Sequence, residues 1–385
     1  MNTQKTSRKI DAKFSIAIAG LIVISLLAIP LYLNYSIDPF HFFRKSDYYF
    51  TQQRFQNPGL AKHQDYDAVI IGDSLTENIT PKIAQKYFPD SNFLKLSSEG
   101  ATLYEENLIL QTAVNSGKLQ KVLWSLPYPT LDYEVNEVKS DGAFPFYLYN
   151  TDLISTVRYL IDPIVLMTSI KLKLYPENNE NITIDLEHLN VWIDVIKRPY
   201  SKEDALAAYY ERLYRDGLIE SNGHWNEKAQ ADLIARNSNK LAKFKENIDQ
   251  NLVKIIKENP NVNFIIYFPP LSVLNYKLCE LSGQLNNVLE GREYVCKQLD
   301  DVKNVCIYDF QHLEELTHNL NNYKDTLHYS TQIDAYILDA ISTNKYRIAD
   351  LSMLENNNNI IKTQAINYLP ETIDLTYLKN LSTVK

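Results

Sequence analysis

Three residue types that together activate a hydroxyl group occur in two short segments of the sequence. A serine becomes a nucleophile when a histidine takes its proton and a carboxylate orients the histidine. Ser74 ends the segment "YDAVIIGDS", and "DTLHYS" places Asp325 three residues before His328. In one helical turn or a tight loop, that spacing puts both side chains on the same side. We therefore predict Ser74 as nucleophile, His328 as base and Asp325 as its partner. The alternative for Ser74 is a helix cap.

Acyl transfer also needs backbone N–H groups aimed at the developing negative charge. The N–H of Ser74, at the predicted start of a helix, is one candidate. Gly100, in "LKLSSEG" at the predicted end of the next strand, is the second, because a residue without a side chain lets its N–H approach a substrate oxygen. The alternative for Gly100 is an ordinary turn glycine.

The elements that must position these residues follow a strand–helix rhythm. From Tyr66 onward, apolar runs such as "DAVIIGDS" and "KVLWSLPY" alternate with helix-like stretches such as "LYEENLILQTAVNSG", and the rhythm returns after a gap with "NVNFIIYFPP", "NVCIYDF" and a last helix over 332–342. This pattern is typical of a parallel sheet covered by helices on both faces. The predicted strands end at Ser74, near Ser97, near Leu126, near Phe268 and near Phe310. The intervening segment, 131–237, is predicted to be a helical, tyrosine-rich insertion that acts as a lid or substrate platform.

Together these blocks resemble the SGNH/GDSL superfamily of esterases, lipases and O-acyltransferases. The resemblance rests on "GDS" after a strand, a glycine one unit later and "DxxH" before the last helix, and it covers Tyr66–Leu126 and Asn261–Ser342. It implies a flavodoxin-like, three-layer α/β fold with a parallel sheet. It also implies the roles given above for Ser74, Gly100, Asp325 and His328.

One block departs from the family pattern. The family's third block usually carries Gly-x-Asn-Asp after the third strand, whereas this chain has "WSLPYPTLDYE" there. Tyr128 or the backbone around Leu126 is a candidate replacement, and Tyr128 is accordingly predicted to bind substrate. Asn78, just past the nucleophile, is a more remote candidate. This departure puts efficient general hydrolysis in doubt.

The N-terminal region predicts a membrane anchor. Residues Phe14–Leu33, "FSIAIAGLIVISLLAIPLYL", form a charge-free run of about the length that spans a bilayer as a helix. Four basic residues against one acidic residue precede it, which predicts a cytoplasmic N-terminus. A cleaved signal peptide is the alternative. The predicted organisation is therefore a cytoplasmic segment 1–13, an anchor 14–33, a juxtamembrane linker 34–65, an SGNH-like domain 66–345 and a C-terminal appendage 346–385.

The amino-acid composition limits the classes of ligand and partner that this chain can bind. The net charge of -8 and the absence of a Lys/Arg run argue against nucleic acid as the main partner. The 27 tyrosines fit either a sugar-binding cleft or half-buried packing. No metal-binding motif occurs, so neither a metal nor another cofactor is expected. Of the three cysteines, Cys306 lies in a predicted strand, which leaves Cys279 and Cys296 as a candidate pair in an oxidising compartment.

These observations predict a single-pass protein of the plasma membrane with a periplasmic or extracellular domain. The predicted function is a serine acyl esterase or O-acyltransferase acting on an acylated cell-envelope glycan through an acyl-serine, with water or a sugar hydroxyl as acceptor. An anchor followed by such a domain, with "IDPFHFF" at the junction, resembles bacterial envelope O-acylation proteins, and this resemblance implies a membrane-bound O-acyltransferase partner. The alternative is a non-catalytic glycan-binding or scaffold subunit.

Overall fold

The computed structural model describes residues 12–139, 144–174, 182–193 and 200–378, and of residues 12–13, 23–27 and 182 it describes only the backbone. Residues 1–11 of the predicted cytoplasmic segment and 379–385 of the predicted appendage therefore lie outside the described residues. The chain divides into two compact units. One contains residues up to 63 together with 145–184, and the other contains residues 64–144 and 185 onward.

The described residues form the following helices and strands. The strands are β1 (Tyr49–Phe50), β2 (Ala68–Ile71), β3 (Phe93–Lys95), β4 (Lys121–Ser125), β5 (Ile182–Thr183), β6 (Asn263–Phe268) and β7 (Val305–Asp309). The α-helices are α1 (Ala12–Ile37), α2 (Gln53–His63), α3 (Pro81–Tyr87), α4 (Leu103–Asn115), α5 (Leu153–Ile161), α6 (Pro163–Leu174), α7 (Lys202–Arg215), α8 (Glu227–Asn237), α9 (Lys240–Ile248), α10 (Lys254–Glu258), α11 (Val273–Leu281), α12 (Leu285–Leu299), α13 (Glu314–Thr317), α14 (Thr331–Ser342) and α15 (Leu351–Asn367). A π-helical turn, Asp249–Val253, joins α9 to α10.

The larger unit is built on a five-stranded parallel sheet in the order β3-β2-β4-β6-β7. This order has the chain turn back between β2 and β4, as in flavodoxin-like folds, and it confirms the predicted α/β class. Each of the five predicted strands is present, but the first ends at Ile71, three residues before Ser74. All four residues of β2 are buried, which is typical of a strand covered on both faces.

The C-terminal region contributes to the core of the larger unit. We predicted a surface appendage from 346, but Leu354, Ile361 and Ala365 of α15 are fully buried. The asparagine tract lies in this helix, where Asn357 donates to Asp309 Oδ2 at 2.9 Å and Asn358 Oδ1 accepts from Arg292 at 2.7 Å. The prediction of an appendage was therefore wrong, because amides in a polar-looking tract satisfy buried charges.

The smaller unit joins two segments that we predicted to be separate. Strands β1 and β5 pair antiparallel, Tyr49 with Thr183, so part of the predicted linker and part of the predicted insertion fold together. Its core is aromatic, and the ring of Phe42 stacks on that of Tyr159 at 4.6 Å between centroids. Asp38, with φ of 50°, closes the end of α1 by accepting the backbone N–H groups of residues 42–44.

The structure also bears on the predicted cysteine pair and on the predicted membrane anchor. Cys279, Cys296 and Cys306 are all free thiols, so the Cys279–Cys296 pair is not formed. Among the described residues, no single helix is long and apolar enough by itself to cross a membrane, although α5 and α6 together reach that length and composition with a bend of 54° between them. The predicted anchor falls within α1, for which the side chains of 23–27 are not described.

Candidate active site

Ser74 stands on a tight turn beyond the end of β2. Gly72 leads into it with φ of +152°, and a Cβ there would come within 2.9 Å of the Thr76 side chain, so a side chain at 72 would displace the turn. Thr76 Oγ1 in turn donates to the carbonyl of Asp73 at 2.9 Å and lies 2.6 Å from Ser97 Oγ. We predicted a helix directly after Ser74, but residues 74–78 form a turn and α3 begins only at Pro81. Its cap is Thr80, so the helix-cap interpretation of Ser74 was wrong.

The predicted nucleophile, base and acid lie in one hydrogen-bonded line. Ser74 Oγ is 2.8 Å from His328 Nε2, and His328 Nδ1 is 2.7 Å from Asp325 Oδ2. With the Nδ1 proton directed to Asp325, Nε2 is the acceptor for the serine hydroxyl. Ser74 lies 254 residues before His328 in the chain, and the parallel sheet brings both to one rim. This arrangement can activate a hydroxyl for attack on a carbonyl carbon.

No protein-family model matches this sequence, and no curated protein is significantly similar to it.

The loop that carries His328 is organised by Asp325. Its Oδ1 accepts the backbone N–H groups of Leu327 and His328, both at 2.8 Å, while a bridge between Tyr323 and Tyr329 closes the loop. Burial of Asp325 opposes its ionisation, but the hydrogen bond and charge of His328 outweigh burial and hold the pKa of Asp325 below its ordinary value. Asp325 therefore stays ionised and keeps the imidazole oriented.

Gly100 lines the same cavity as Ser74, in the loop between β3 and α4. We predicted that Gly100 ends the strand, but β3 ends five residues earlier, at Lys95. Gly100 instead adopts φ of +57°, a left-handed conformation that glycine tolerates best. The side chain of Lys139 passes within 3.6 Å of the position that a Cβ would occupy. A cation therefore lies beside the candidate oxyanion donor.

The two candidates to replace the family's third-block asparagine, the backbone around Leu126 and the side chain of Tyr128, differ in their contacts. The N–H of Leu126 donates to the carbonyl of Tyr267 at 2.9 Å, so this N–H is not available to a substrate oxyanion. Tyr128 lines the cavity, and burial of its hydroxyl, together with the neighbouring Cys279, raises the pKa of Tyr128 well above its ordinary value. A neutral phenol on the cavity wall can donate to a substrate or accept from it. Tyr128 stays a predicted substrate-binding residue.

The sequence did not point to Trp192. Its indole N–H donates to the carbonyl of Ser74 at 2.9 Å, and its ring meets the His328 ring edge-on at 5.6 Å. Lys324 Nζ lies 3.9 Å from the centre of the indole. Asn78 Oδ1 accepts the N–H of Ile193 at 3.1 Å, which anchors this segment next to the nucleophile's turn. The only available signal was a tryptophan, one of three in the chain, inside the insertion.

The cavity at Ser74 is polar and has a volume of about 640 Å³. Its charged residues occur largely as ion pairs: Arg212 with Asp216 at 2.8 Å, Arg215 with Glu211 at 3.4 Å and Lys240 with Asp132. Such a wall suits a polar ligand with many hydroxyl groups better than an acyl chain alone. Within the described ranges, no group of three or more His, Cys, Asp or Glu side chains is placed to hold a metal ion.

Proposed function

We propose that this chain is a serine-dependent acyl esterase or O-acyltransferase of the SGNH type, acting on an acylated cell-envelope glycan. The observation that carries the proposal is the 2.8 Å contact of Ser74 Oγ with His328 Nε2, extended at 2.7 Å to Asp325. The half-buried position of this line beside a large polar cavity supports a catalytic role over a structural one.

The proposed reaction proceeds in two steps. His328 Nε2 takes the Ser74 proton as Oγ attacks the acyl carbonyl, and the N–H groups of Ser74 and Gly100 stabilise the oxyanion. Collapse of this intermediate breaks the ester bond, and His328 returns the proton to the departing alcohol. His328 then deprotonates the acceptor, which attacks the acyl-serine and releases Ser74. Water as acceptor gives hydrolysis, whereas a sugar hydroxyl gives transfer.

The proposed location is the outer side of the plasma membrane, with α1 as a single-pass anchor. The charge-free run and its basic flank support this placement. A glycan substrate is supported by the ion-paired cavity wall and by Tyr128 and Tyr133 in its lining. A membrane-bound O-acyltransferase would be the source of acyl groups if the chain works by transfer.

A serine-reactive fluorophosphonate probe tests the proposal on the full-length protein. We expect it to label the wild type covalently and to leave Ser74→Ala unlabelled, because the probe reports an activated serine rather than a particular substrate. Ser238→Ala, which removes an exposed hydroxyl hydrogen-bonded to Ala235, is the matched control and should label like the wild type. A wild-type protein that resists the probe would contradict the proposal.

The second candidate is a non-catalytic glycan-binding or scaffold subunit of an acylation complex. The commitment of the Leu126 N–H to Tyr267 favours it, because one expected oxyanion donor is absent from the site. Under this reading the probe labels neither protein, while an envelope glycan still binds in equilibrium measurements with equal affinity to wild type and Ser74→Ala.

A further inference from the structure

Helix α5 carries an apolar stripe that none of the described residues covers. Its exposed apolar residues fall within about 100° of one another on the helix, a continuous face. They are Leu153, Ile154, Val157 and Ile161, and the first two are 78% and 81% exposed. Ser155 and Tyr159 lie on the opposite face and are buried. Helix α6 extends the exposed surface with Ile164, Met167 and Leu174.

This surface is fixed in place by α1. Asn34, fully buried in α1 near its end, donates to the carbonyl oxygens of Tyr159 and Leu160 at 3.4 and 3.0 Å. Ser169 of α6 donates to Asn34 Oδ1 at 3.2 Å. One amide therefore holds the bend between α5 and α6 against α1. The apolar stripe is a built surface rather than a frayed end.

The aromatic core of the same unit determines where along α1 the helices α5 and α6 pack. Tyr159 stacks on Phe42 and donates to Asp38 Oδ1 at 2.8 Å, and both partners come after the end of α1. Helices α5 and α6 thus contact α1 at Asn34, the first residue after its charge-free run. Within the last part of that run, α1 exposes Ile29 and Tyr32.

We propose that α5 and α6 lie in the outer interface of the lipid bilayer, with the α5 stripe among the acyl chains. A bend of 54° and Asp162 at that bend suit a helix pair lying in the interface better than one crossing the membrane. Arg158, Lys171 and Lys173 supply cations for lipid phosphates. The inference rests on the proposed anchor, because α1 sets the level of the interface.

Tryptophan quenching by brominated lipid tests this placement on the full chain in phosphatidylcholine vesicles. Leu153→Trp and Ile154→Trp report the stripe, and Leu21→Trp, at a position 64% exposed, reports α1 independently. Leu369→Trp, at a position 84% exposed in the larger unit, is the control for water. Emission of the native Trp124, Trp192 and Trp225 is subtracted with the unsubstituted chain.

We expect bromines on the acyl chains to remove most of the added emission at 153, 154 and 21, and to leave that at 369 unchanged. Quenching at 21 without quenching at 153 and 154 overturns the interfacial placement and leaves the anchor standing. Absence of quenching at all three overturns both. Blue-shifted but unquenched emission at 153 and 154 would assign the stripe to a protein partner or a second copy, which also overturns the placement.

Discussion

In the proposed mechanism Ser74, His328 and Asp325 form a unit, because each acts through its neighbour. We predict that Ser74→Ala and His328→Ala each lower the rate of acyl release by about four orders of magnitude or more. The double variant should be little slower than either single variant. The measurement is kcat/KM on a small acyl ester. Additive losses in the double variant would show that Ser74 and His328 work separately.

Asp325→Asn should be milder than either change, since the nucleophile and base remain. The amide still accepts the loop N–H groups through one oxygen, but its NH2 cannot accept the Nδ1 proton of His328, which favours the wrong tautomer. We expect a reduced kcat with an unchanged thermal midpoint in calorimetry. Loss of the fold instead of kcat would assign Asp325 to loop structure alone.

Trp192 is a positioning residue in this proposal, because its indole holds the Ser74 carbonyl and flanks His328. Trp192→Phe keeps a ring but loses the N–H donor. We predict a fall in kcat of roughly 10- to 100-fold with little change in KM, since small misplacements of reacting groups have effects of this size. Trp225→Phe, at an indole bonded to Gln230, is the matched control and should retain full kcat.

The sequence was sufficient to select three residues that meet in space, because a serine shortly after a strand and an Asp-x-x-His have a restricted local geometry. It could not select Trp192, whose contact with Ser74 spans 118 residues and depends on how the insertion folds. Gly100 was chosen for its missing side chain, while its positive φ depends on the loop before α4.

At the scale of elements, a buried ion pair joins α12, β7 and α15. Arg292 Nη2 lies 2.6 Å from Asp309 Oδ2, and the side chains are 2% and 0% exposed. Arg292→Met leaves Asp309 buried without its cation, and we predict a loss of about 3–5 kcal/mol in the free energy of unfolding by urea. Lys297→Met, which removes a solvent-exposed partner of Glu293 on the same helix, should cost at most about 0.5 kcal/mol. Equal costs would contradict the role assigned to the pair.

Helix α14 contains a carboxyl group that should reduce stability at neutral pH. Burial raises the pKa of Asp334 well above 3.8, with Lys95 opposing, so above pH 3.8 the folded chain keeps a proton that the unfolded chain releases. The contribution of Asp334 to the free energy of unfolding therefore falls as pH rises above 3.8. The fall is about 1.4 kcal/mol per pH unit until the pH reaches the pKa of Asp334 in the folded chain.

Asp334→Asn holds no such proton. We predict that it is more stable than the wild type towards urea at neutral pH and loses the advantage below pH 3.8. Asp339→Asn, exposed on the same helix, is the control and should show no such gain. A gain that does not vary with pH would point to packing instead.

The strands of the parallel sheet could be predicted from the sequence, because apolar runs of four to six residues that alternate with helical patterns fit few folds other than a parallel sheet. Helix α15 was not readable as core. Its four consecutive asparagines look solvent-exposed in sequence, and only their long-range partners Asp309 and Arg292 reveal why two of them are buried.

At the scale of the whole molecule, the proposed anchor would fix the direction in which the chain crosses the membrane. We predict that a reporter active only in the cytoplasm, fused after Lys385, stays silent, because the basic flank retains the N-terminus inside. Export-dependent alkaline phosphatase at the same position is the matched control and should be active. The reverse pattern would invert the topology and remove the envelope glycan from reach.

The pairing of β1 with β5 fixes the order in which the polypeptide can mature during synthesis. Tyr49 leaves the ribosome more than 130 residues before its partner Thr183, and the first three strands of the parallel sheet are made in between. The unit that contains β1 and β5 therefore stays incomplete while the first strands of the larger unit are being made. A shortened chain that starts at Tyr66 would lack the segments that bury Tyr159 and Val165. Because these apolar side chains would then be exposed to water, we expect the secreted product to aggregate.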